Sequence, residues 1–154
     1  MKLLAPLFAL AVLASPAWGC LGDSEAELAA RYGAQTKTGT SQIPGVSIRG
    51  YLYKGFLIVV GVLNGRSSYE MYSRKDGSKL SGPEVAALMN ANSKGQTWTE
   101  DKGTTPEDSK WVLADGSVFA EWAKAGGLTV MTSEAADLEA RTPAKKAPEK
   151  PRRP

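Results

Sequence analysis

The side chains able to move protons in this chain are mainly carboxylates, because its 154 residues include no histidine. That excludes Ser-His-Asp and Cys-His catalysis, imidazole zinc ligation and histidine-based pH switching. One cysteine, Cys20, excludes an intrachain disulfide and any multi-cysteine metal or iron–sulfur site. Five acidic residues crowd one stretch: Glu100, Asp101, Glu107, Asp108 and Asp115. Hydrolysis by a carboxylate pair needs two carboxyls facing each other at a fixed separation across a cleft. These five stand beside Gly, Thr and Pro, and the calcium-loop spacing of an EF-hand is absent. Solvated loops are the expected role, with a small carboxylate-dependent hydrolase as an alternative. Ser78-Lys79, Ser93-Lys94 and Ser109-Lys110 lack Ser-x-x-Lys spacing, and adjacent strand residues point apart.

Aromatic and basic residues offer recognition rather than catalysis. Arg49, Tyr51, Tyr53, Tyr72 and Arg74 are the candidate surface-binding set. On one sheet face they would form a stacking platform. Packing beneath a helix is the competing reading. Tyr69 and Tyr72 are three apart and therefore point to opposite faces of a regular strand.

The elements that must position these residues are well marked. Ser24 with Glu27 forms a capping box, and Leu28 and Tyr32 share a helix face, so a helix is predicted from Asp23 to Tyr32. Ser47 to Lys54 alternates, with Arg49, Tyr51 and Tyr53 opposite Ile48, Gly50 and Leu52. Phe56 to Leu63 is an unbroken apolar run of strand length. Asn64-Gly65 is a strong hairpin turn, and Ser67 to Arg74 returns as a strand. Ser81 with Glu84 makes a second capping box, with Leu80 and Val85 as its hydrophobic staple. Further strands are predicted at Gln96 to Asp101, Lys110 to Leu113, Val118 to Ala123 and Leu128 to Thr132. Trp98, Trp111 and Trp122 are expected to pair across them. Ser133 to Arg141 reads as a last short helix. No long internal repeat is apparent. The expected fold class is α+β, an antiparallel meander with two to three short helices in a single domain over residues 20–140.

Residues 1–19 have the pattern of a signal peptide: Lys2, an apolar run from Leu3, then small residues before Cys20. A cut before Cys20 or before Trp18 would fit. Ala17-Trp18-Gly19-Cys20 also resembles the lipobox of bacterial lipoproteins, which makes Cys20 the candidate lipidation site. The formal charge of +3 is unevenly spread. Residues 20–140 hold twelve Lys/Arg against fifteen Asp/Glu, whereas Arg141 to Pro154 holds six cations against Glu149. That segment has four prolines and no large apolar residue, so it is expected to be a disordered tail. Lys145, Lys146, Lys150, Arg152 and Arg153 would tether it to anionic lipid headgroups or acidic envelope polymers. Nucleic acid is not an expected partner, and no cofactor is expected.

The stretch Leu21 to Gly33 is similar to the opening of a set of short exported bacterial proteins of unknown function. Asn64-Gly65, Lys75-Asp76-Gly77, Ser81 to Asn92 and Trp98 occupy the places of that set's turns, capped helix and Trp strand. The helix–Tyr-Gly–strand opening also resembles the small lipoprotein domain of the outer-membrane assembly machinery, the SmpA/OmlA group. The expected function is a non-enzymatic binding or envelope-associated module, periplasmic or extracellular. The alternative is an outer-membrane lipoprotein, anchored through Cys20, that assists envelope assembly.

Overall fold

The computed structural model describes Gly19 and residues 21–101, 103, 105, 107–124 and 126–143. Cys20, the segment 1–18 and the tail cations Lys145, Lys146, Lys150, Arg152 and Arg153 lie outside the described residues.

Helix α1 (Glu25–Tyr32) starts where the capping box dictates. Ser24 N donates to Glu27 Oε2 at 2.7 Å, and Ser24 Oγ accepts from Glu27 N at 3.4 Å. Strand β1 (Lys37–Thr40) follows, then β2 (Val46–Tyr53), β3 (Phe56–Leu63) and β4 (Arg66–Arg74). The β3–β4 turn uses Asn64 at φ 52° and Gly65 at φ 77°. Two successive positive φ angles match the strand twist, which is why this dipeptide closes the hairpin. Helix α2 (Gly82–Ala91) is capped by Ser81 and Glu84. Strands β5 (Trp98–Glu100), β6 (Asp108–Leu113), β7 (Val118–Ala123) and β8 (Leu128–Thr132) precede α3 (Ser133–Arg141). Thr132 Oγ1 caps α3 by accepting from Ala135 N at 3.2 Å.

All eight strands form one antiparallel sheet in the order β1-β2-β3-β4-β8-β7-β6-β5. Each half is a four-stranded meander followed by a helix, and the last strand of each half lies at the centre. The seam pairs Tyr69 with Met131, Glu70 with Val130, Met71 with Thr129 and Tyr72 with Leu128. This two-part plan is not visible as a sequence repeat, because the halves share pairing geometry rather than residues.

The α+β expectation is corrected. About 42% of the described residues are strand and 22% helix, so the fold is mostly β. The helices are short, with eight, ten and nine residues. The second half is not a separate sheet, since β8 joins β4 and continues the first meander. Strand β1 has no sequence signal of its own. Its Lys-Thr-Gly-Thr side chains are all exposed, so no apolar alternation marks it. Pairing with Ser47 to Gly50 alone makes it a strand.

Alternation along the strands assigns two faces. The core face carries Tyr51, Ile58, Val60, Tyr72, Leu113, Ala120, Leu128 and Val130 beneath Leu28 and Tyr32 of α1 and Val85, Leu88 and Met89 of α2. Trp98, Trp111 and Trp122 pack on that cluster. They stand directly opposite Leu113, Ala120 and Leu128, so they neighbour one another diagonally instead of in direct pairs. The other face has a smaller cluster of Ile43, Val46, Leu63 and Tyr69, with Met131 and α3 Leu138 against it. Gly61 fits there because a Cβ would lie 2.1 Å from the Tyr69 ring. The β3–β4 register shifts beside it, between Gly61 and Val62.

Candidate functional site

Helix α3 covers one end of its face, and among the described residues nothing covers the rest. Leu52, Leu57, Met71 and Phe119 are 40, 41, 47 and 40% exposed. They are the exposed large hydrophobic residues among the described ones, and all four lie on this face. Leu52 stands directly opposite Leu57, Met71 is flanked by Val59 and Thr129, and Phe119 is opposite Met131. Two grooves run across the surface. One of about 840 Å³ is bounded by Ile43, Tyr69, Met71, Phe119, Met131 and Glu139, and it reaches Thr142 and Pro143 beyond α3. A second, of about 580 Å³, shares Met71, Glu121 and Thr129 with the first. The larger groove is rimmed by Asp101, Glu121 and Glu139, with Lys110 bridging to Glu121 at 3.6 Å. Its floor is apolar, and among the described residues its rim carries more negative than positive charge.

The candidate set Arg49, Tyr51, Tyr53, Tyr72 and Arg74 is brought together on the core face. Tyr51 and Tyr72 are buried there, and Arg49, Tyr53 and Arg74 are half-buried. The Tyr32 ring meets those of Tyr51 and Tyr53 at 5.4 and 5.6 Å between centroids. Arg49 Nη2 bonds Glu25 Oε1 at 2.6 Å, tying β2 to α1. Arg74 pairs with Glu84 of α2 and lies 4.9 Å from the Phe56 ring centroid.

Below α1 and α2 the core encloses a polar knot. Glu70 is fully buried and accepts hydrogen bonds from Tyr32 Oη at 3.2 Å and from Tyr72 Oη. Asn92 Nδ2 donates to Tyr72 Oη at 3.3 Å and to Leu88 O at 3.1 Å. Asn92 Oδ1 accepts from Leu21 N at 3.2 Å, which fixes the chain entering α1. Burial first, and the Glu70 charge second, push both tyrosine hydroxyls well above the usual phenol range. Neutral phenols remain donors to the carboxylate, so the knot joins α1, β4 and α2.

The acidic stretch is spread out. Glu100 ends β5 and Asp101 follows it, Glu107 precedes β6 and Asp108 begins it, and Asp115 sits at the β6–β7 turn. Hydrogen bonds from Ser117 and Gln96 hold the Asp115 carboxyl down at about 2. Gln96 Nε2 reaches it at 2.7 Å and Ser117 N at 2.9 Å, so Asp115 locks a turn. Among the described residues no group of three or more acidic or cysteine side chains is placed to hold a metal ion.

Sequence reasoning missed the open face. Its signal was present in β3, where an unbroken apolar run makes both faces apolar. Leu57 of that run is exposed, and among the described residues no element covers this part of the sheet.

No protein-family model matches the chain, and no curated protein matches it. Among solved structures it is similar to a cysteine-rich secretory protein from Staphylococcus aureus subsp. aureus Mu50, at 12% identity and a TM-score of 0.43. The match covers 74% of this chain and 45% of that one, so this chain spans less than half of that protein. No helix among the described residues is long and apolar enough to cross a membrane.

Proposed function

We propose that this protein is an exported, non-catalytic binding module that holds an extended basic polypeptide segment on the uncovered face of its sheet. One observation carries the reading: Leu52, Leu57, Met71 and Phe119 stand exposed together on a single face. Exposed apolar surface that is contiguous and rimmed by polar groups marks an interaction site. The rim residues Asp101, Glu121 and Glu139 favour cations, and the apolar floor favours small aliphatic and proline side chains. The export half of the reading rests on the leader pattern of residues 1–19.

The test is an array of extended twelve-residue peptides of varied charge, probed with the purified protein and with its Met71→Lys/Phe119→Lys variant. Basic peptides containing Pro and Ala should bind the parent and lose the variant. An array on which the two proteins score alike would overturn the binding reading. Export is tested separately, by the intact mass of protein recovered from the cell envelope. Loss of residues 1–19 or 1–17 supports it, and a diacylglyceryl adduct on Cys20 identifies the lipoprotein form. Full-length polypeptide recovered only from the cytoplasm contradicts it.

A further inference from the structure

We infer that Gly19 is a core residue of the mature protein, so that the leader is removed between Ala17 and Trp18 and the Cys20 sulfur stays an unmodified thiol. The inference rests on the export half of the reading above and selects one of the two cuts open to it.

Gly19 packs on the polar knot. It is buried, and its backbone lies against Tyr72, Asn92 and Glu70. A Cβ on it would overlap the Tyr72 hydroxyl and stand 2.5 Å from Asn92 Nδ2 and 2.8 Å from Glu70 Oε2. The site therefore admits glycine and no larger residue. The same three side chains are hydrogen-bonded to one another and are at most 1% exposed. Bonds to a buried carboxylate gain most where water is kept out, and Gly19 is part of what keeps it out.

The residues that follow are fixed to the same framework. Leu21 is buried, and its N–H donates to Asn92 Oδ1 at 3.2 Å. Gly22 N and Asp23 N donate to Ser67 Oγ at 3.0 and 3.1 Å, and Ser67 N donates back to Asp23 O at 2.8 Å. Asp23 pairs with Arg31 of α1 at 2.9 Å. The part of the chain that belongs to the core thus extends back to Gly19.

Leader removal needs small residues one and three positions before the cut. Ala17 and Gly19 allow a cut before Cys20, and Ser15 and Ala17 allow one before Trp18. The first cut discards Gly19, whether it follows the ordinary or the lipoprotein route. It removes the backbone packed on the knot and leaves its polar groups facing a gap. The second cut retains Gly19. A residue that fills the native core belongs to the mature chain, so the structure selects the second cut. A leader peptidase of the envelope would hydrolyse the Ala17–Trp18 amide bond, with water giving Ala17 a carboxylate and Trp18 an ammonium group. Lipidation requires Cys20 as the first residue, and that requirement is then not met.

The experiment uses the full chain, expressed with its leader and recovered from the cell envelope, beside its Gly19→Ala form. Alanine is small, so both cuts remain available to the variant. N-terminal sequencing of the parent should read Trp-Gly-Cys, and the denatured parent should take up one equivalent of a thiol reagent. The mature Gly19→Ala protein should be heavier than the parent by one methylene. Its thermal midpoint should be lower by about 3 °C or more, as overpacking in a chain of this size produces. Tyr72→Phe removes the hydroxyl that the added methyl meets, so Gly19→Ala should cost less in that background. A parent that begins at Cys20, with or without a diacylglyceryl thioether, overturns the inference and leaves export standing. Identical mature masses for the parent and Gly19→Ala do the same. A retained Gly19 whose change to alanine leaves the midpoint unmoved, or costs as much with Tyr72→Phe as without it, overturns its place against the knot. Uncut chain found only in the cytoplasm overturns both this inference and the export reading. If Gly19→Ala does not accumulate, the N-terminal residue of the parent decides.

Discussion

At the residue scale the molecule depends most on polar groups hidden from water. Tyr72 donates to Glu70 and accepts from Asn92 while almost fully buried. Tyr72→Phe is expected to lower unfolding free energy by about 2 kcal/mol, because it removes a bond to a charged partner and one of the two hydrogen bonds that the buried Asn92 amide nitrogen donates. Urea denaturation measures this, and a change near zero would show that the knot is not needed for stability. The raised hydroxyls also fix a pH window. Folded-state values above the unfolded value of about 10 mean that stability is fully present below that pH and declines as pH rises beyond it. A thermal midpoint that falls from pH 9 to 11, with a shallower fall in Tyr32→Phe/Tyr72→Phe, is the expected result. Asp115 works in the opposite sense. Its carboxyl sits at about 2 in the folded chain, below its ordinary 3.8. Its contribution is therefore present above pH 4 and is lost as pH falls toward 2. Asp115→Ala should lower the thermal midpoint at pH 6, and the gap from the parent should close at pH 2.

At the element scale the strands carry the fold and the helices close it. Gly61 shows how tightly β3 and β4 are matched, since its missing side chain leaves room for the Tyr69 ring. Gly61→Ala is expected to cost about 3 kcal/mol through overpacking, and Tyr69→Ala in the same chain should recover part of the loss. Equal and additive losses, measured by chemical denaturation of the two single variants and the double, would show that the two sites do not compete for space. Much of this level was legible in the sequence. Capping boxes at Ser24/Glu27 and Ser81/Glu84, the Asn64-Gly65 turn and the span of β3 all follow from local chemistry. Strand β1 was not legible, because four exposed side chains carry no burial pattern. The three tryptophans were expected to pair directly, but register, which is a long-range property, staggers them.

At the scale of the whole molecule the β4–β8 seam makes two meanders into one sheet. Val130 is wholly buried on that seam opposite Glu70. One cooperative unfolding transition is expected, with Val130→Ala shifting all of it by about 2 kcal/mol. Two separable transitions in calorimetry would mean that the halves are independent. The open face behaves differently, since its residues are already in water. Met71→Lys/Phe119→Lys should leave unfolding free energy within about 0.5 kcal/mol of the parent while removing peptide binding. That separation of stability from recognition is what distinguishes a binding face from an incompletely covered core.

Local side-chain chemistry dictates the individual helices, turns and strands and rules out imidazole chemistry. Caps, turns and alternation act within a few residues, and a chain without histidine cannot use imidazole. Which sheet face is sealed follows from long-range packing instead. Alternation shows that Arg49, Tyr51 and Tyr53 oppose Leu52, but both sides of such a strand are amphipathic enough to be covered. The outcome turned on α1 and α2 meeting over the tyrosines while α3 covered one end of the other side. Helix placement depends on strand order, and strand order depends on β8 finding β4 across the length of the second meander. No short-range signal encodes that contact.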